Sequence, residues 1–366
     1  MKNVTNWIKQ ILRFASYITF IIVVTFVTLE IIFRFLPVST SKYLQPVNQE
    51  NPISHFKKNH LVIINEKPDF SNVRHKQINN WGYFSDYNYQ SDRILSKCRS
   101  IVIGDSYVEA IQVKNKEAFN SILHEKGCET FAFGKSGDPL SQYLAYAEFV
   151  ITEFNPDNLI FSIIANDFDE SLIKYKNTPA NHYFNDNGEL LRVDFMPSLI
   201  GLFIRGSSFL YYLYNDVKIQ VLINRILWKS TAHEMDYNEF LNARLEDRES
   251  DSRFAIDLFM EKISEFATER QVFLVVDADR NRIYQGYRNR DENKAVGRLN
   301  NYFIQKARRY DNVVIVDMQK YFWKDWMENR TIFNSDQDYH WNAYGHFVVA
   351  NTIQCYLIGD ICGSNN

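Results

Sequence analysis

The sequence predicts an α/β fold built on a parallel sheet of about five strands, preceded by one N-terminal transmembrane helix. Three observations lead there. Short β-branched or aromatic runs alternate with helical spacing in β-α-β-α-β order, which demands crossover connections and therefore parallel strands. The first three runs each end in a short polar signal: Gly104-Asp105-Ser106, Gly134-Lys135-Ser136-Gly137 and Asn166-Asp167. In a parallel sheet such signals gather along the carboxyl edge of the strands, where open α/β sheets place their sites. Finally, residues 14–33 form an apolar run of 20 residues with one charge, Glu30.

The apolar run comes first along the chain. As a helix rising about 1.5 Å per residue it covers roughly 30 Å, the hydrocarbon thickness of a bilayer. Lys2, Lys9 and Arg13 precede it, which favours an N-terminus in the cytoplasm. Glu30 and Arg34 are spaced to pair at the far end, where a lone carboxylate would be costly. A signal peptide has a shorter apolar stretch and an A-x-A-like cleavage site, and residues 34–38 contain none, so an uncleaved anchor is expected. The expected division is a cytoplasmic N-terminus at 1–13, a membrane anchor at 14–36, an extracytoplasmic lead-in at 37–97 and a catalytic domain at 98–366. Outside the cytoplasm disulfides are allowed. Cys98 and Cys128 both fall just before the first two predicted strands, which would bring them together, and Cys355 with Cys362 is the second expected pair.

The lead-in is polar and irregular, rich in Asn, Tyr and Lys. Strand one, residues 100–103, precedes a helix around 117–126 closed by Gly127, a good C-cap residue. Strand two, 130–133, ends at Gly134. Leu140, Tyr143, Leu144, Ala147 and Val150 recur at helical spacing over 139–154, with Pro139 suited to a first turn. Strand three covers 158–164. An insertion at about 175–250 then breaks the rhythm. Residues 183–191 read as a hairpin turning at Asn187-Gly188, 197–229 as one or two apolar, aromatic helices, and 230–252 as a charged stretch. Directly after strand three, this insertion is expected either to overhang the site as a lid or substrate wall, or to pack on the sheet or the membrane surface. The rhythm resumes with a helix near 253–268, a strand at 272–276, a helix near 293–309, a strand at 313–316 and a final helix at 343–358.

Composition narrows the function. The 366 residues carry a net charge of −3, with 23 % charged residues, so nothing points to nucleic acid as a partner. No fixed-period repeat suggests a solenoid. Ser106 is the candidate nucleophile, since a serine hydroxyl needs a base to take its proton and that base is usually histidine. His340 is the candidate base because it shares a late loop with Asp338, a carboxylate able to orient the imidazole. An Asp two residues before the His reaches its ring only if the loop bends back, and Asp336 is the fallback orienter. The N–H groups of Ser106 and Gly137 and the side-chain amide of Asn166 are candidate oxyanion donors, if the three loops meet. Glycine at 137 allows close backbone approach. Singly, each of these residues reads as an ordinary turn, cap or structural histidine. Their joint occurrence at successive strand ends is what those readings leave unexplained. His346 lies six residues beyond His340, unlike a helical metal pair, and no metal or cofactor is expected.

Gly104-Asp105-Ser106-Tyr107, Gly137 after Lys135-Ser136, Asn166-Asp167 and the run from Asp338 to His346 resemble the four blocks of the SGNH, or GDSL-type, hydrolases. They occur in the family's order over roughly 99–358 outside the insertion, and the branch they resemble is that of bacterial envelope proteins with a membrane anchor. The resemblance implies a flavodoxin-like three-layer α/β/α sandwich and metal-free hydrolysis or transfer of ester-linked acyl groups. It implies Ser106 as nucleophile, Gly137 and Asn166 as oxyanion donors and His340 as base. Two positions depart from the family pattern. Ile164 stands where the third block often has Gly, and the acid and base are spaced Asp-x-His rather than Asp-x-x-His. The shorter spacing resembles that of relatives that add acetyl groups to polysaccharides or remove them.

The expected function is that of a membrane-anchored serine esterase in the bacterial inner membrane, facing outward and acting on acyl, chiefly acetyl, groups of envelope glycans or glycolipids. An O-acyltransferase working beside a membrane acyl-donor protein is the second reading. A non-catalytic scaffold or glycan-binding protein is the third.

Overall fold

The computed structural model of the chain describes residues 2–92, 98–221, 223, 237–336 and 338–358. They form two compact units, one of 1–41, 62–75 and 198–231 and a larger one of 42–61, 76–197 and 232–366.

The smaller unit starts with α1 (Lys2–Phe33), of which Asn6–Phe33 is long and apolar enough to cross a membrane, with none of its most apolar window buried in protein. In chain order there follow β1 (His60–Asn65) and β2 (Val73–Ile78), which pair as a two-stranded sheet. This corrects the expectation of an irregular lead-in. His60-Leu61-Val62-Ile63-Ile64 is the apolar partner, while Val73-Arg74-His75-Lys76-Gln77-Ile78 shows no clean alternation to betray a strand.

The larger unit is organised by five strands: β3 (Arg99–Gly104), β4 (Glu129–Gly134), β5 (Asn158–Ile163) and, after the insertion, β8 (Gln271–Val276) and β9 (Val313–Asp317). They form the predicted parallel sheet in the order β4-β3-β5-β8-β9. α2 (Ser106–Glu109) and α3 (Phe119–Glu125) follow β3, α4 (Leu140–Phe154) follows β4, and α5 (Asp167–Glu170) follows β5. The insertion supplies the hairpin β6 (Asn181–Phe184) and β7 (Leu190–Val193), then α6 (Leu199–Gly206) and α7 (Ser208–Tyr211), and finally α8 (Tyr237–Asp247). The remaining helices are α9 (Glu249–Phe266), α10 (Arg280–Tyr284), α11 (Ala295–Ala307), α12 (Met318–Asn329) and α13 (Ala343–Leu357).

Period-two alternation along the strands makes three layers. Ile101, Ile103, Phe131, Phe133, Leu159, Phe161, Val272 and Leu274 point into one core, shared with α4, α9 and α11. Val102, Ala132, Ile160, Phe273 and Val275 point into the other, shared with α3, α12 and α13. Both faces are covered, so the strands read as continuous apolar runs. In the observed order the chain reverses direction across β3 and β5, the kind of switch point where such sheets open a crevice at the carboxyl ends of their strands.

At the opposite, amino ends of β3 and β4, Cys98 and Cys128 form a disulfide with Cα atoms 5.0 Å apart, as expected. It closes a loop of 30 residues. Cys98→Ser is expected to lower stability by about 2–4 kcal/mol through the freed unfolded chain, read by urea unfolding of the detergent-solubilised protein. A change below about 0.5 kcal/mol would contradict that account. The other expected pairing involves Cys362, which lies outside the described residues.

Candidate active site

Three loops after β3, β4 and β5 meet the loop before α13 around a cleft of about 300 Å³ in the larger unit. Ser106, Gly137, Asn166, Asp338 and His340 all line it.

Ser106 opens α2, and Asp105 caps that helix by accepting the Tyr107 N–H at 3.0 Å. The serine is thereby held at a helix start, with its Oγ 2.7 Å from His340 Nε2. On the other side of the imidazole, Asp338 Oδ2 lies 2.8 Å from Nδ1. That contact is short but off the N–H axis, a bent hydrogen bond that becomes an ion pair when the ring is protonated. The bend follows from the two-residue spacing: Asp338 Oδ1 accepts the backbone N–H of His340 at 2.9 Å, folding the loop back on itself. Gln112 Nε2 donates to Asp338 Oδ2 at 3.0 Å and steadies the carboxylate. Burial alone would lower the His340 imidazole, but the bond and charge of Asp338, and then the Asp105 charge, more than offset it, and the ring titrates above 6.5. Burial pushes Asp338 up, yet its contacts with His340 outweigh that and bring it below its ordinary value. Asp105, fully enclosed, is raised to about 6 chiefly by burial.

The Gly137 loop is fixed from both sides. The buried Glu109 of α2 accepts the N–H and hydroxyl of Ser136 and pairs with Lys42. The Gly137 carbonyl accepts from Lys176 Nζ at 2.8 Å and Asn181 Nδ2 at 3.4 Å. Gly137 has φ +81°, a conformation that strains any residue with a Cβ. The N–H groups of Ser106 and Gly137 have no protein partner among the described residues. Asn166 Nδ2 donates one hydrogen to Asp167 Oδ1 at 3.1 Å, which orients the amide and leaves its second hydrogen available. Asp167 is in turn gripped by Tyr143 at 2.7 Å. The Ile164 N–H reaches Asp167 Oδ2 at 3.4 Å and closes the loop after β5.

Sequence reasoning missed a clamp behind His340. Arg280, 6 % exposed, donates through Nη2 to Tyr107 Oη at 2.8 Å and to Asp277 Oδ2 at 3.0 Å. Tyr107 Oη donates to the Tyr339 carbonyl at 2.9 Å, and Trp341 Nε1 donates to Asp277 Oδ1 at 3.0 Å. The residues on either side of His340 are thus held by one buried network that includes the neighbour of Ser106. Only an Asp-x-x-Arg at the end of a strand pointed to it, a pattern too common to single out. Arg280→Met strands the Asp277 carboxylate in a nearly closed site and is expected to cost about 3–5 kcal/mol of stability, measured by urea unfolding. A loss below about 1 kcal/mol would show that Asp277 is adequately held by Trp341 alone.

The wall of the cleft comes from the charged end of the insertion. Tyr237, Asn238, Leu241 and Asn242 of α8 line it. Arg244 of α8 donates to the Asn166 carbonyl at 3.3 Å and pairs with Asp169 and Glu170 at 3.1 and 2.9 Å, pinning the helix to the Asn166 loop. The apolar end, α6 and α7, belongs to the smaller unit. His346 is buried and lowered to about 3 by that burial; its Nδ1 accepts the Phe119 N–H at 3.4 Å. Among the described residues no group of three or more His, Cys, Asp or Glu is placed to hold a metal ion.

No protein-family model matches this chain, and no curated protein matches it significantly. Among solved structures it is similar to an α/β hydrolase from the metagenome of Lake Arreo in Spain, at 13 % identity and a TM-score of 0.40, covering 73 % of this chain and 97 % of that one. It is also similar to an acetyl xylan esterase, at 12 % identity and a TM-score of 0.38 over 71 % of this chain and 99 % of the other. An acetylxylan esterase from Geobacillus stearothermophilus gives 12 % and 0.38 over 75 % and 100 %. Likenesses at this level fix neither family nor substrate.

Proposed function

We propose that the chain is a serine esterase of the SGNH type, held by its N-terminal helix in a bacterial inner membrane with the site outside the cytoplasm. One observation carries the reading: Ser106 Oγ sits 2.7 Å from His340 Nε2 while Asp338 lies 2.8 Å from the other ring nitrogen. Around it stand two unpartnered backbone N–H groups and an oriented amide, the donor set an oxyanion requires. Ser106 Oγ attacks the ester carbonyl carbon as its proton passes to His340 Nε2. The Ser106 and Gly137 N–H groups and Asn166 Nδ2 bear the oxyanion's charge. His340 then gives the proton to the departing alkoxide, leaving an acyl-serine, and delivers water to it in the second half-reaction. A cleft of about 300 Å³ is at the small end of ligand pockets and suits a short acyl group such as acetyl. The amides of Asn281 and Asn300 on its lining favour a hydroxyl-rich substrate, a glycan or glycolipid.

The same lining supports a second reading, in which a sugar hydroxyl takes water's place and the enzyme is an O-acyltransferase fed by a membrane acyl donor. With acceptor sugar present, transfer must yield acylated sugar above the background of hydrolysis.

Intact-mass detection of a fluorophosphonate adduct on the full chain in detergent tests both, because it needs only an activated serine. One adduct is expected, mapping to Ser106 and absent from His340→Ala. Folded protein that takes no adduct would leave the non-catalytic scaffold as the better reading.

A further inference from the structure

Within the smaller unit, α6 exposes an apolar face that no described residue covers. None of its residues is buried, and Leu199, Ile200 and Phe203 are 85 %, 75 % and 64 % exposed. At helical spacing Leu199, Ile200, Leu202, Phe203 and Ile204 share one broad face, with Gly201 and Arg205 opposite. A soluble surface rarely carries so continuous an apolar patch without a partner for it.

The same unit fixes where that face lies. Directly after α6, Ser207 Oγ donates to the Glu30 carboxylate at 2.6 Å, and the N–H groups of Ser208 and Phe209 donate to it at 3.2 Å each. The ring of Phe209 packs against Phe26 and Phe33 of α1, with centroids 6.2 and 5.2 Å away. Farther on, Asp216 accepts the Ser39 N–H and the Asn65 amide at 3.1 Å each, so both ends of the stretch are tied down. The carboxyl end of α6 therefore lies beside Glu30, three residues before α1 ends, where Glu30 also pairs with Arg34 at 2.9 Å. Phe35, two residues beyond the end of α1, is 86 % exposed.

We infer that α6 lies in the headgroup–acyl boundary of the bilayer that α1 crosses, with its apolar face in lipid and Arg205 toward the headgroups. This rests on the proposed anchoring of α1. Continuity selects lipid over a protein partner: Phe20, Ile21 and Ile22 of α1 are 66 %, 61 % and 61 % exposed, and that apolar exposure runs on to Ile31 and Ile32 at 54 % and 48 %, beside the Glu30 to which the end of α6 is bonded. An amphipathic helix of this kind buries its apolar side about 5–10 Å below the headgroups. The chain then meets the membrane at two points, one spanning and one lying flat.

The test is spin-label accessibility on the full chain in lipid nanodiscs, with Cys355 and Cys362 replaced by serine. Labels are placed singly by Leu199→Cys, Phe203→Cys, Arg205→Cys and Ile22→Cys. At 199 and 203 the expected result is collision with oxygen, protection from a water-soluble nickel chelate and a depth of about 5–10 Å, with the chelate reaching 205. Chelate collision at 199 and 203 equal to that at 205 would put α6 in water and overturn the inference. Protection from both reagents would mean a protein cover, a second copy of this chain included, and would overturn it equally. The Ile22 label separates the two levels: oxygen alone reaching it upholds the anchor whatever α6 does, and chelate reaching it removes the anchor and this inference with it.

Discussion

Ser106→Ala is expected to lower kcat toward an aryl acetate by roughly four to six orders of magnitude, with KM and the unfolding midpoint nearly unchanged. The size follows from the arrangement. Ser106 Oγ is the atom within 2.7 Å of the His340 imidazole, and without it the donors around the cleft have an oxyanion to bind but no nucleophile to create one. What remains is the smaller acceleration that donors and binding give to attack by water. Because serine and base act as one unit, the double variant Ser106→Ala/His340→Ala is expected to be scarcely slower than either single one. Losses that multiplied would mean the two residues act independently, against a relay between them. Stability is expected to hold because the hydroxyl is only partly buried, and its removal leaves Asp105 still bonded to the Tyr107 N–H at 3.0 Å. Turnover in Ser106→Ala at near the parent rate would end the serine-esterase reading.

The parts of this site that were legible in the sequence are those in which a polar residue interrupts an apolar strand. Ser106, Gly137 and Asn166 each follow such a run, and the parallel order of the strands places them on one edge. The Asp338–His340 spacing also foretold a loop that folds back, and the Asp338 contact with the His340 N–H is that fold. Arg280 and Asp277 were not legible, because their meaning depends on Tyr107 and Trp341, 173 and 64 residues away in the chain. The insertion was half legible. Its hairpin turn was marked by Asn187-Gly188, but that Arg244 would tie α8 to the Asn166 loop depends on tertiary pairing with Asp169 and Glu170. The β1–β2 pair escaped for a local reason, since Arg74, His75 and Lys76 break any alternation. Lys76 is buried nonetheless, because its ammonium reaches the carbonyls of Glu109 and Ala110, a compensation that residue type alone does not announce.

Asp338→Asn is expected to slow turnover by about 10²–10⁴-fold and to move the acid limb of the kcat/KM profile to lower pH. His340 must be neutral to take the serine proton, so activity rises as pH climbs through the imidazole's pKa, which here lies above 6.5. Burial pulls that pKa down. Asp338, by hydrogen bond and charge, is the largest influence holding it up, with Asp105 behind it. With asparagine at 338, burial prevails and the limb shifts downward; an unmoved limb would assign the elevation to Asp105, and Asp105→Asn would then be the variant that shifts it. The same pair has an opposite effect on folding. A histidine whose pKa is raised in the folded state contributes stability that is complete below about pH 6.5 and lost as pH rises through the folded value. Asp338, lowered in the folded state, contributes stability present above its ordinary value of 3.8 and lost as pH falls through the lower one. Asp105, raised to about 6, works in the same sense as the histidine, because ionising a buried carboxyl costs stability as pH rises from 3.8. The pair is therefore worth most to the fold on the acid side of neutrality, where His340 is protonated, and least where the proposed mechanism requires it neutral. Urea midpoints measured from pH 5 to 9 are expected to fall across the limb in the parent protein and to flatten in Asp338→Asn, so that one ion pair sets both the pH at which the site works and the stability given up there.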